Sequence, residues 1–321
     1  MFLGDGGVLR NVPLPTLLER GKSSLHNAPI PPRISTPLHA EHFRLWPVRH
    51  RRMNGLHSIR NGSGPPMVFV HGNPSTHTLW RPLTERLCDR FTVVAVDLPG
   101  FGKSQAPHQQ SGFRLDQMAE TLLRFCQHHQ LERIHLVGHS FGAAVAATMG
   151  AMEPGRIRTL TLITPLGLQT PPVGQLAKIR MLRAVAIAAW PRLPAGVKGA
   201  LAKGGARFSY GAAYHPHRAA EVARESQRHD LPRSMSSLMM EADLQGYRQA
   251  LCQLNMIQEF PLLLIGAGRD RVVPPKQFQK VAELLPRARR HVFPNAGHVP
   301  MWQHPDEIER LIMDGLAQEE G

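Results

Sequence analysis

The stretch that decides the fold is Leu136-Val137-Gly138-His139-Ser140-Phe141-Gly142-Ala143-Ala144. A β-prone run ends at Gly138, Ser140 follows, and a helix-forming run begins at Ala143. Gly-x-Ser-x-Gly between a strand and a helix is the sequence form of a nucleophile elbow, a sharp turn that raises the serine hydroxyl above the edge of a sheet. Glycines flank the serine because the strand and the helix approach too closely there for side chains. The stretch therefore predicts a serine nucleophile at position 140.

Short apolar runs alternate with helical patterns on both sides of this stretch. Strands are predicted at residues 43–48 and 55–59, as a hairpin, and at 67–70, 91–96, 134–137, 157–163, 260–265 and 290–293. Helices are predicted at residues 79–88, 115–129, 143–149, 277–285 and 306–316. Such alternation, with a glycine-rich turn after each apolar run, is typical of an α/β fold with a mostly parallel sheet and helices on both faces.

Two segments depart from this alternation. Residues 1–40 carry six prolines and little periodicity, which predicts an irregular proline-rich arm. Residues 167–253 look mainly helical, and we interpret them as a cap inserted over the site. The core is then built from residues 41–166 and 254–321, and no internal repeat is evident.

Chemically useful side chains follow the predicted strands at their ends. These residues are His71, Asp97, Ser140, Asp270 and His298. In open α/β sheets, ligands bind in the crevice beyond the carboxyl ends of the strands. The shared placement therefore predicts that these side chains meet at one edge of the sheet.

A serine hydroxyl becomes a nucleophile only when an adjacent base takes its proton, and that base must be oriented by a third group. In the chain order Ser–Asp–His, Asp270 follows a strand and a glycine turn, and His298 lies in a loop after the next strand. Taken singly, Asp270 also suits an ordinary turn and His298 an ordinary loop. Their order and strand-end positions favour a catalytic triad of Ser140, His298 and Asp270.

The oxyanion of an acyl-transfer intermediate needs backbone N–H donors. Phe141, directly after the nucleophile, supplies one donor, and Asn73 in His71-Gly72-Asn73-Pro74 is the predicted second. That loop also suits a tight turn, and the side chain of Asn73 is an alternative donor at the pocket floor. We further predict that His139, Trp80 and Val299 line the substrate pocket.

Composition limits the partners. Lys and Arg number 38 against 24 Asp and Glu, a net charge of +14. Such an excess favours anionic partners, or it is a solvated arginine-rich surface. The chain has no zinc-finger spacing and no basic zipper, so no nucleic-acid partner is expected.

Cysteine usage and apolar runs bear on the compartment. The three cysteines, Cys88, Cys126 and Cys252, are odd in number and far apart, as expected of thiols in a reducing compartment. The first 25 residues lack a secretory pattern, and the longest apolar run is too short to span a bilayer. A cytoplasmic protein, monomeric or homodimeric, is the expectation.

The predicted cap is basic. Residues 171–208 contain seven basic residues and no acidic one, interleaved with apolar residues. The basic residues are Lys178, Arg180, Arg183, Arg192, Lys198, Lys203 and Arg207. This pattern suits either an amphipathic face that meets anionic lipid or the outer face of ordinary cap helices. The side chains of Met181, Met235, Met239, Met240, Phe208, Tyr210 and Tyr214 either line an adaptable apolar pocket or form cap core.

Five motifs in order carry a resemblance to the α/β-hydrolase superfamily over residues 42–318. They are His71-Gly72-Asn73-Pro74, Asp97-Leu98-Pro99-Gly100-Phe101-Gly102, Gly138-His139-Ser140-Phe141-Gly142, Gly268-Arg269-Asp270 and Gly297-His298. The resemblance implies an eight-stranded sheet, a helical cap inserted after strand 6, and a Ser140–His298–Asp270 triad that needs no cofactor or metal.

The His-Gly-Asn-Pro loop is also similar to that of haloalkane dehalogenases, and epoxide hydrolases resemble the chain as well. Both use an aspartate nucleophile where this chain has Ser140. An alkoxide attacking an alkyl halide would leave a stable ether, so serine favours acyl chemistry. The expected activity is hydrolysis of carboxylic esters with an apolar acyl or alcohol part, of the carboxylesterase or lipase type. Cleavage of a carbon–carbon bond or a thioester by the same triad is the alternative, ahead of a dehalogenase-like enzyme or a non-catalytic ligand receptor.

Overall fold

The computed structural model describes residues 49–53, 55–169, 180–210, 216–228 and 230–317. The predicted arm at residues 1–40 and the predicted strand at 43–48 lie outside these ranges, as does Tyr214.

Eight strands form a single sheet. They are β1 (Arg49–Met53), β2 (Leu56–Asn61), β3 (Pro66–Val70), β4 (Thr92–Val96), β5 (Ile134–His139), β6 (Ile157–Ile163), β7 (Leu262–Ala267) and β8 (Arg289–Phe293). Their order is β1-β2-β4-β3-β5-β6-β7-β8. The β1–β2 and β2–β4 pairs are antiparallel and the others are parallel. The predicted mostly parallel eight-stranded α/β sheet is confirmed.

Ten α-helices are described. They are α1 (Arg81–Leu87), α2 (Leu115–His128), α3 (Phe141–Met152), α4 (Arg180–Ala189), α5 (Ala195–Tyr210), α6 (Pro216–Glu225), α7 (Leu231–Glu241), α8 (Leu244–Met256), α9 (Pro275–Leu284) and α10 (Pro305–Ala317). Helices α4 to α8 lie between β6 and β7 in the chain. Among the described helices, none is both long enough and apolar enough to cross a membrane.

The central strands are apolar on both faces because both faces are covered. Successive residues of a strand point to opposite sides of the sheet. Val68 and Val70 of β3 pack in a core cluster with residues of α2 and α3. Met67 and Phe69 pack on the other side in a second cluster with residues of α1 and α10. Such continuous apolar runs are expected of strands buried on both faces.

Two boundaries differ from the sequence pattern. Within the described residues, the strand that forms a hairpin with β2 is Arg49–Met53, a basic run without apolar alternation. It lies at an edge of the sheet, where charged residues are tolerated. Helix α8 falls mostly within the predicted cap at 167–253, but its Tyr247 and Leu251 belong, with Leu254, to the core cluster that includes α3. The division between cap and core remains a prediction, and α8 belongs to the core by its packing.

One buried histidine makes a pH-dependent contribution to stability. The ring of His135 is 4% exposed, shares a 3.1 Å hydrogen bond with Thr159 Oγ1, and meets the Phe91 ring edge-on. Burial, helped by the charge of Arg158, lowers the pKa of His135 to about 4. In the unfolded chain the pKa of His135 is near 6.5. Between pH values of about 4 and 6.5, the unfolded chain therefore binds a proton at His135 that the folded protein does not bind.

We expect the free energy of unfolding to fall as the pH drops from about 6.5 to 4, by up to about 1.4 kcal/mol per pH unit from His135. The His135→Asn variant keeps a polar partner for Thr159 but has no titrating group at this position. Its free energy of unfolding should therefore change less with pH. Urea unfolding of both proteins at about pH 7.5 and about pH 5 measures how much the free energy of unfolding of each changes with pH. Identical pH dependence in the two proteins would contradict this assignment.

Candidate active site

Ser140 sits in a strained turn between β5 and α3. Its backbone has φ 52° and ψ −119°, a positive φ that costs a non-glycine residue about 1–3 kcal/mol. A Cβ placed on Gly142 would lie 2.3 Å from the His71 carbonyl oxygen and 2.4 Å from that of Val70. Only glycine permits this approach, so the turn that raises Ser140 depends on it.

The structure brings Ser140, His298 and Asp270 together. His298 Nε2 lies 2.9 Å from Ser140 Oγ, and His298 Nδ1 lies 2.7 Å from Asp270 Oδ2. Asp270 follows β7 and His298 follows β8, while Ser140 follows β5. All three residues are buried. The Ser140 hydroxyl can thus donate to Nε2 while the Nδ1–H donates to the carboxylate.

Asp270 and His298, the two residues that support Ser140, are themselves held by further hydrogen bonds. Asp270 Oδ1 accepts hydrogen bonds from the amides of Val272 and Val273, at 2.8 and 2.9 Å. These bonds leave Oδ2 for His298. The His298 carbonyl accepts from Thr164 Oγ1 at 3.0 Å, and this holds the loop that carries the imidazole.

His139, a predicted pocket residue, supports the triad from behind. Its Nε2–H donates to the His298 carbonyl at 2.8 Å, and the two rings lie 4.8 Å apart. Burial, reinforced by His298, lowers the pKa of His139 well below its usual range, so the ring stays neutral. Its Nδ1 has no hydrogen-bond partner among the described residues.

Trp80 and Val299, the other predicted pocket residues, lie in the core cluster that includes Phe69. The Trp80 ring packs 5.0 Å from the Phe69 ring and meets His139 edge-on at 6.3 Å. Trp80 is fully buried, and Val299 is 4% exposed. Both therefore form part of the wall behind the triad, and their contact with substrate remains a prediction.

The loop after β3 abuts the nucleophile. A Cβ on Gly72 would lie 2.8 Å from both His139 Nδ1 and Ser140 Cβ. In the described part of the chain, the amides of Asn73 and Phe141 have no hydrogen-bond acceptor. The side-chain Oδ1 of Asn73 is also buried without a partner there. Neither amide is therefore engaged elsewhere in these ranges, and their role as oxyanion donors remains a prediction.

Asp97 holds this loop from the core side. Its Oδ1 accepts from the backbone N–H and the Nδ1 of His77, at 2.7 and 2.8 Å. Its Oδ2 accepts from His57 Nδ1 at 2.8 Å and from the Lys103 amide at 2.9 Å. Burial alone would raise the pKa of Asp97, but the two histidines outweigh it and hold the pKa well below its usual range. The carboxylate therefore stays ionised.

His57, His77 and Asp97 are also of the residue types that bind metal ions, and their ligand atoms lie within 4.8 Å of one another. Each oxygen of Asp97, however, already accepts two hydrogen bonds. This saturation favours a hydrogen-bonded anchor for the loop over a metal centre.

Helix α6 of the predicted cap holds the same loop from the other side. Arg218 donates to Ser75 Oγ at 2.9 Å and to Thr78 Oγ1 at 2.6 Å. Glu225 accepts from the hydroxyls of Thr76 and Thr78, at 2.7 and 2.6 Å. Arg218 and Glu225 pair at 2.9 Å. We call Arg218, Glu225, Ser75, Thr76 and Thr78 the cap clamp.

The clamp belongs to a largely buried ion network with balanced charges. Arg218, only 1% exposed, also pairs with Glu221 at 3.1 Å, and Glu221 pairs with Arg81. Burial would raise the pKa of Glu225, but the charge of Arg218 and the threonine hydroxyls lower it. Two cations therefore face two anions, and the network adds no net charge beside the loop.

The clamp predicts a kinetic effect of Glu225→Gln. The glutamine oxygen can still accept from Thr76 and Thr78, but its NH₂ group replaces the Oε2 acceptor of Arg218. Arg218 is then under-compensated, so the loop after β3 can shift. A displacement of about 1 Å can cost about 100-fold in rate, and we expect a fall in kcat of about 10- to 100-fold with a smaller change in KM. Steady-state kinetics on a nitrophenyl ester measures the change.

The matched control is Glu241→Gln, which alters a surface hydrogen bond to Gln110. This variant should retain the parental kcat. If Glu225→Gln loses thermal stability but keeps its kcat, the clamp is structural only, and its assigned role in positioning the loop is wrong.

A family model described as the alpha/beta hydrolase fold matches residues 65–305. A dihydrolipoyllysine-residue acetyltransferase component of an acetoin cleaving system, from Pseudomonas putida, is 25% identical over 255 residues. That match covers 79% of this chain but 64% of the relative, so the chain spans less than two thirds of that protein's length.

Two further proteins match more of their own length. A 2-hydroxy-6-oxo-2,4-heptadienoate hydrolase from Pseudomonas putida strain F1 is 28% identical over 273 residues, covering 83% of this chain and 93% of the relative. The crystal structure of the enol-lactonase from Burkholderia xenovorans LB400 superposes with a TM-score of 0.69 at 20% identity, over 84% of this chain and all of that one. The structural likeness shows a shared fold.

Proposed function

The chain belongs to the alpha/beta hydrolase fold family, and from that premise we propose that it is a serine hydrolase of carboxylic esters with an apolar acyl or alcohol part. One observation carries the proposal: the continuous line Ser140 Oγ–His298–Asp270, with contacts of 2.9 and 2.7 Å. A hydroxyl, an imidazole and a carboxylate in this arrangement activate a nucleophile for acyl transfer.

In the first half-reaction, Ser140 Oγ attacks the ester carbonyl while His298 Nε2 takes its proton. Asp270 holds the imidazole with its Nδ1–H inward and stabilises the imidazolium that forms. The amides of Asn73 and Phe141 donate to the developing oxyanion. His298 then returns the proton to the leaving alcohol, and an acyl-enzyme remains on Ser140.

In the second half-reaction, water takes the place of the alcohol. His298 removes a proton from the water as its oxygen attacks the acyl carbon, and the same two amides hold the second oxyanion. Collapse of this intermediate releases the carboxylic acid and restores the Ser140 hydroxyl. The cycle needs no group beyond the side chains and amides named.

Charge balance supports a neutral substrate. The guanidinium groups of Arg218 and Arg81 beside the oxyanion loop are paired with Glu221 and Glu225. No net positive charge remains in this network to attract a substrate carboxylate. An uncharged ester, apolar on one side, fits these surroundings better than an anionic one.

The second candidate is hydrolysis of a carbon–carbon bond by the same triad, with thioester cleavage as a variant. The observation that favours it is the likeness to the 2-hydroxy-6-oxo-2,4-heptadienoate hydrolase over 93% of that protein. Dehalogenation is disfavoured because Ser140 would form an ether that water does not cleave. A ligand receptor remains the non-enzymatic alternative.

A substrate panel separates these functions. Nitrophenyl esters of graded chain length would be tested beside a vinylogous diketone and an acyl-CoA. Ester hydrolysis that peaks at a defined acyl length is the expected result. A kcat/KM for the diketone or the thioester far above every ester would replace the proposal with the second candidate. Fluorophosphonate labelling without turnover of any panel member would indicate a receptor.

The free thiols support a reducing compartment, and we propose the cytoplasm. Cys88 and Cys126 are buried, Cys252 is exposed, and all three are unpaired. An exposed thiol persists more readily where glutathione and thioredoxin keep cysteines reduced.

A further inference from the structure

Helices α4 and α5 of the predicted cap expose large apolar side chains. Nine such side chains are exposed in the described residues, and six of them lie on these two helices. They are Met181 (72% exposed), Leu182 (47%), Val185 (60%), Val197 (43%), Leu201 (57%) and Phe208 (53%). We call these six residues the cap face.

Their spacing makes two stripes rather than a scatter. Val197, Leu201 and Phe208 follow one another at four and seven residues, which places them on one side of α5. Met181 and Val185 stand four residues apart on α4. The sequence leaves Met181 and Phe208 as either pocket lining or cap core. Their exposure excludes cap core, and pocket lining stays a prediction.

Positive charge accompanies the stripes. Residues 171–208 hold seven basic residues and no acidic one. Among those described, Arg192, Lys203 and Arg207 are exposed. Lys198, expected on the same basic surface, is instead buried at 7% exposure, so it adds nothing to the face. The two acidic residues of α6, Glu221 and Glu225, are engaged with Arg81 and Arg218.

We infer that the cap face docks on a membrane surface rich in anionic lipid. Apolar side chains flanked by exposed Lys and Arg are the features of an interfacial helix, which buries its apolar face at the acyl boundary and pairs its cations with lipid phosphates. Large exposed apolar side chains that stay uncovered otherwise leave a monomer prone to association.

The charges disfavour two other partners for the cap face, which are a second copy of this chain and the chain's own residues 1–48. A second copy on a two-fold axis would set this basic face against itself. Residues 1–48, which precede β1, carry five basic and three acidic residues, so they too are positively charged. Anionic lipid is complementary to both the apolar and the cationic parts of the face. The inference does not rest on the chemistry of the active site.

The test is sedimentation of the full chain with vesicles. Vesicles of phosphatidylcholine with about 30% phosphatidylglycerol should bind the protein, and vesicles of phosphatidylcholine alone should bind it much less. Added salt should weaken binding, since exposed charges are screened beyond about 10 Å at 0.1 M. Absence of binding to the anionic vesicles, or equal binding to both kinds, would overturn the inference.

Paired variants locate the surface. Leu201→Glu with Phe208→Glu should weaken vesicle binding by at least about tenfold, because it places two anions in the apolar stripe. The matched control, Met256→Glu with Val292→Glu, adds the same charge at exposed apolar positions outside the cap face, 78% and 47% exposed. It should retain most of the binding. Equal losses in both variants would show that net charge, not the face, decides binding.

Light scattering and duplex DNA complete the test. If the wild type is a dimer that only the cap-face variant dissociates, a second copy covers the face. If the wild type binds DNA but no vesicle, the charge serves nucleic acid. Either result overturns the inference. Circular dichroism spectra and thermal midpoints that match the wild type confirm that both variants are folded.

Discussion

The Ser140→Ala variant is expected to lose ester turnover by about a millionfold in kcat while keeping its fold. Removing Oγ removes the atom that forms the acyl-enzyme, and His298 Nε2, 2.9 Å away in the parent, has no hydroxyl to activate. Residual catalysis would come only from the oxyanion donors and from binding. Initial rates with the best ester of the panel measure the loss.

The control for this variant is a measurement of its thermal stability. Alanine takes the same backbone with a smaller side chain, and among the described residues it removes no hydrogen bond beyond that to His298. The thermal midpoint should therefore stay within a few degrees of the parent. Retained turnover by a folded Ser140→Ala protein would show that the nucleophile is another group.

The Asp270→Asn variant should lower kcat by about 10⁴-fold, the scale seen when a triad carboxylate becomes an amide. Its local contacts decide which way the new amide points. Two N–H donors, from Val272 and Val273, face the Oδ1 position. The asparagine oxygen must occupy that position, so its NH₂ faces His298 Nδ1. The imidazole then carries its proton on Nε2 and cannot accept one from Ser140.

Fluorophosphonate labelling separates this effect from a loss of folding. The labelling rate of Ser140 should fall with kcat, whereas the circular dichroism spectrum should not change. Asp306→Asn, at a side chain 79% exposed on α10, is the matched control and should behave like the parent. Parental kcat in Asp270→Asn would remove Asp270 from the triad.

The sequence predicts the frame of the site because its determinants are local. Ser140 lies in a motif whose glycines are required by contacts within a few ångströms, and Asp270 and His298 each follow an apolar strand. Parallel strands end at one edge of a sheet, so separate strand ends imply a shared site.

The cap clamp escaped prediction because nothing local marks it. Arg218 and Thr78 are 140 residues apart, and Glu225 and Thr76 are 149 apart. In the sequence, Arg218 and Glu225 resemble the solvated charges of any amphipathic helix. Only the docking of α6 on the loop after β3 makes them a buried pair.

The role of Asp97 likewise could not be predicted from the sequence alone. Its strand-end position marks it as a site candidate, but the sequence does not distinguish a reacting carboxylate from an anchor. Four hydrogen bonds to His57, His77 and Lys103 decide in favour of the anchor. The exposed cap face is hidden for the opposite reason, because apolar residues at helical spacing usually indicate core.

The most direct measurement of the central claim is peptide mapping of the covalent adduct formed by a fluorophosphonate or by a slowly hydrolysed nitrophenyl ester. We predict one modified residue, Ser140, with labelling abolished in Ser140→Ala and strongly slowed in Asp270→Asn. An adduct on any other residue, or brisk ester turnover with Ser140 never modified, would contradict the account.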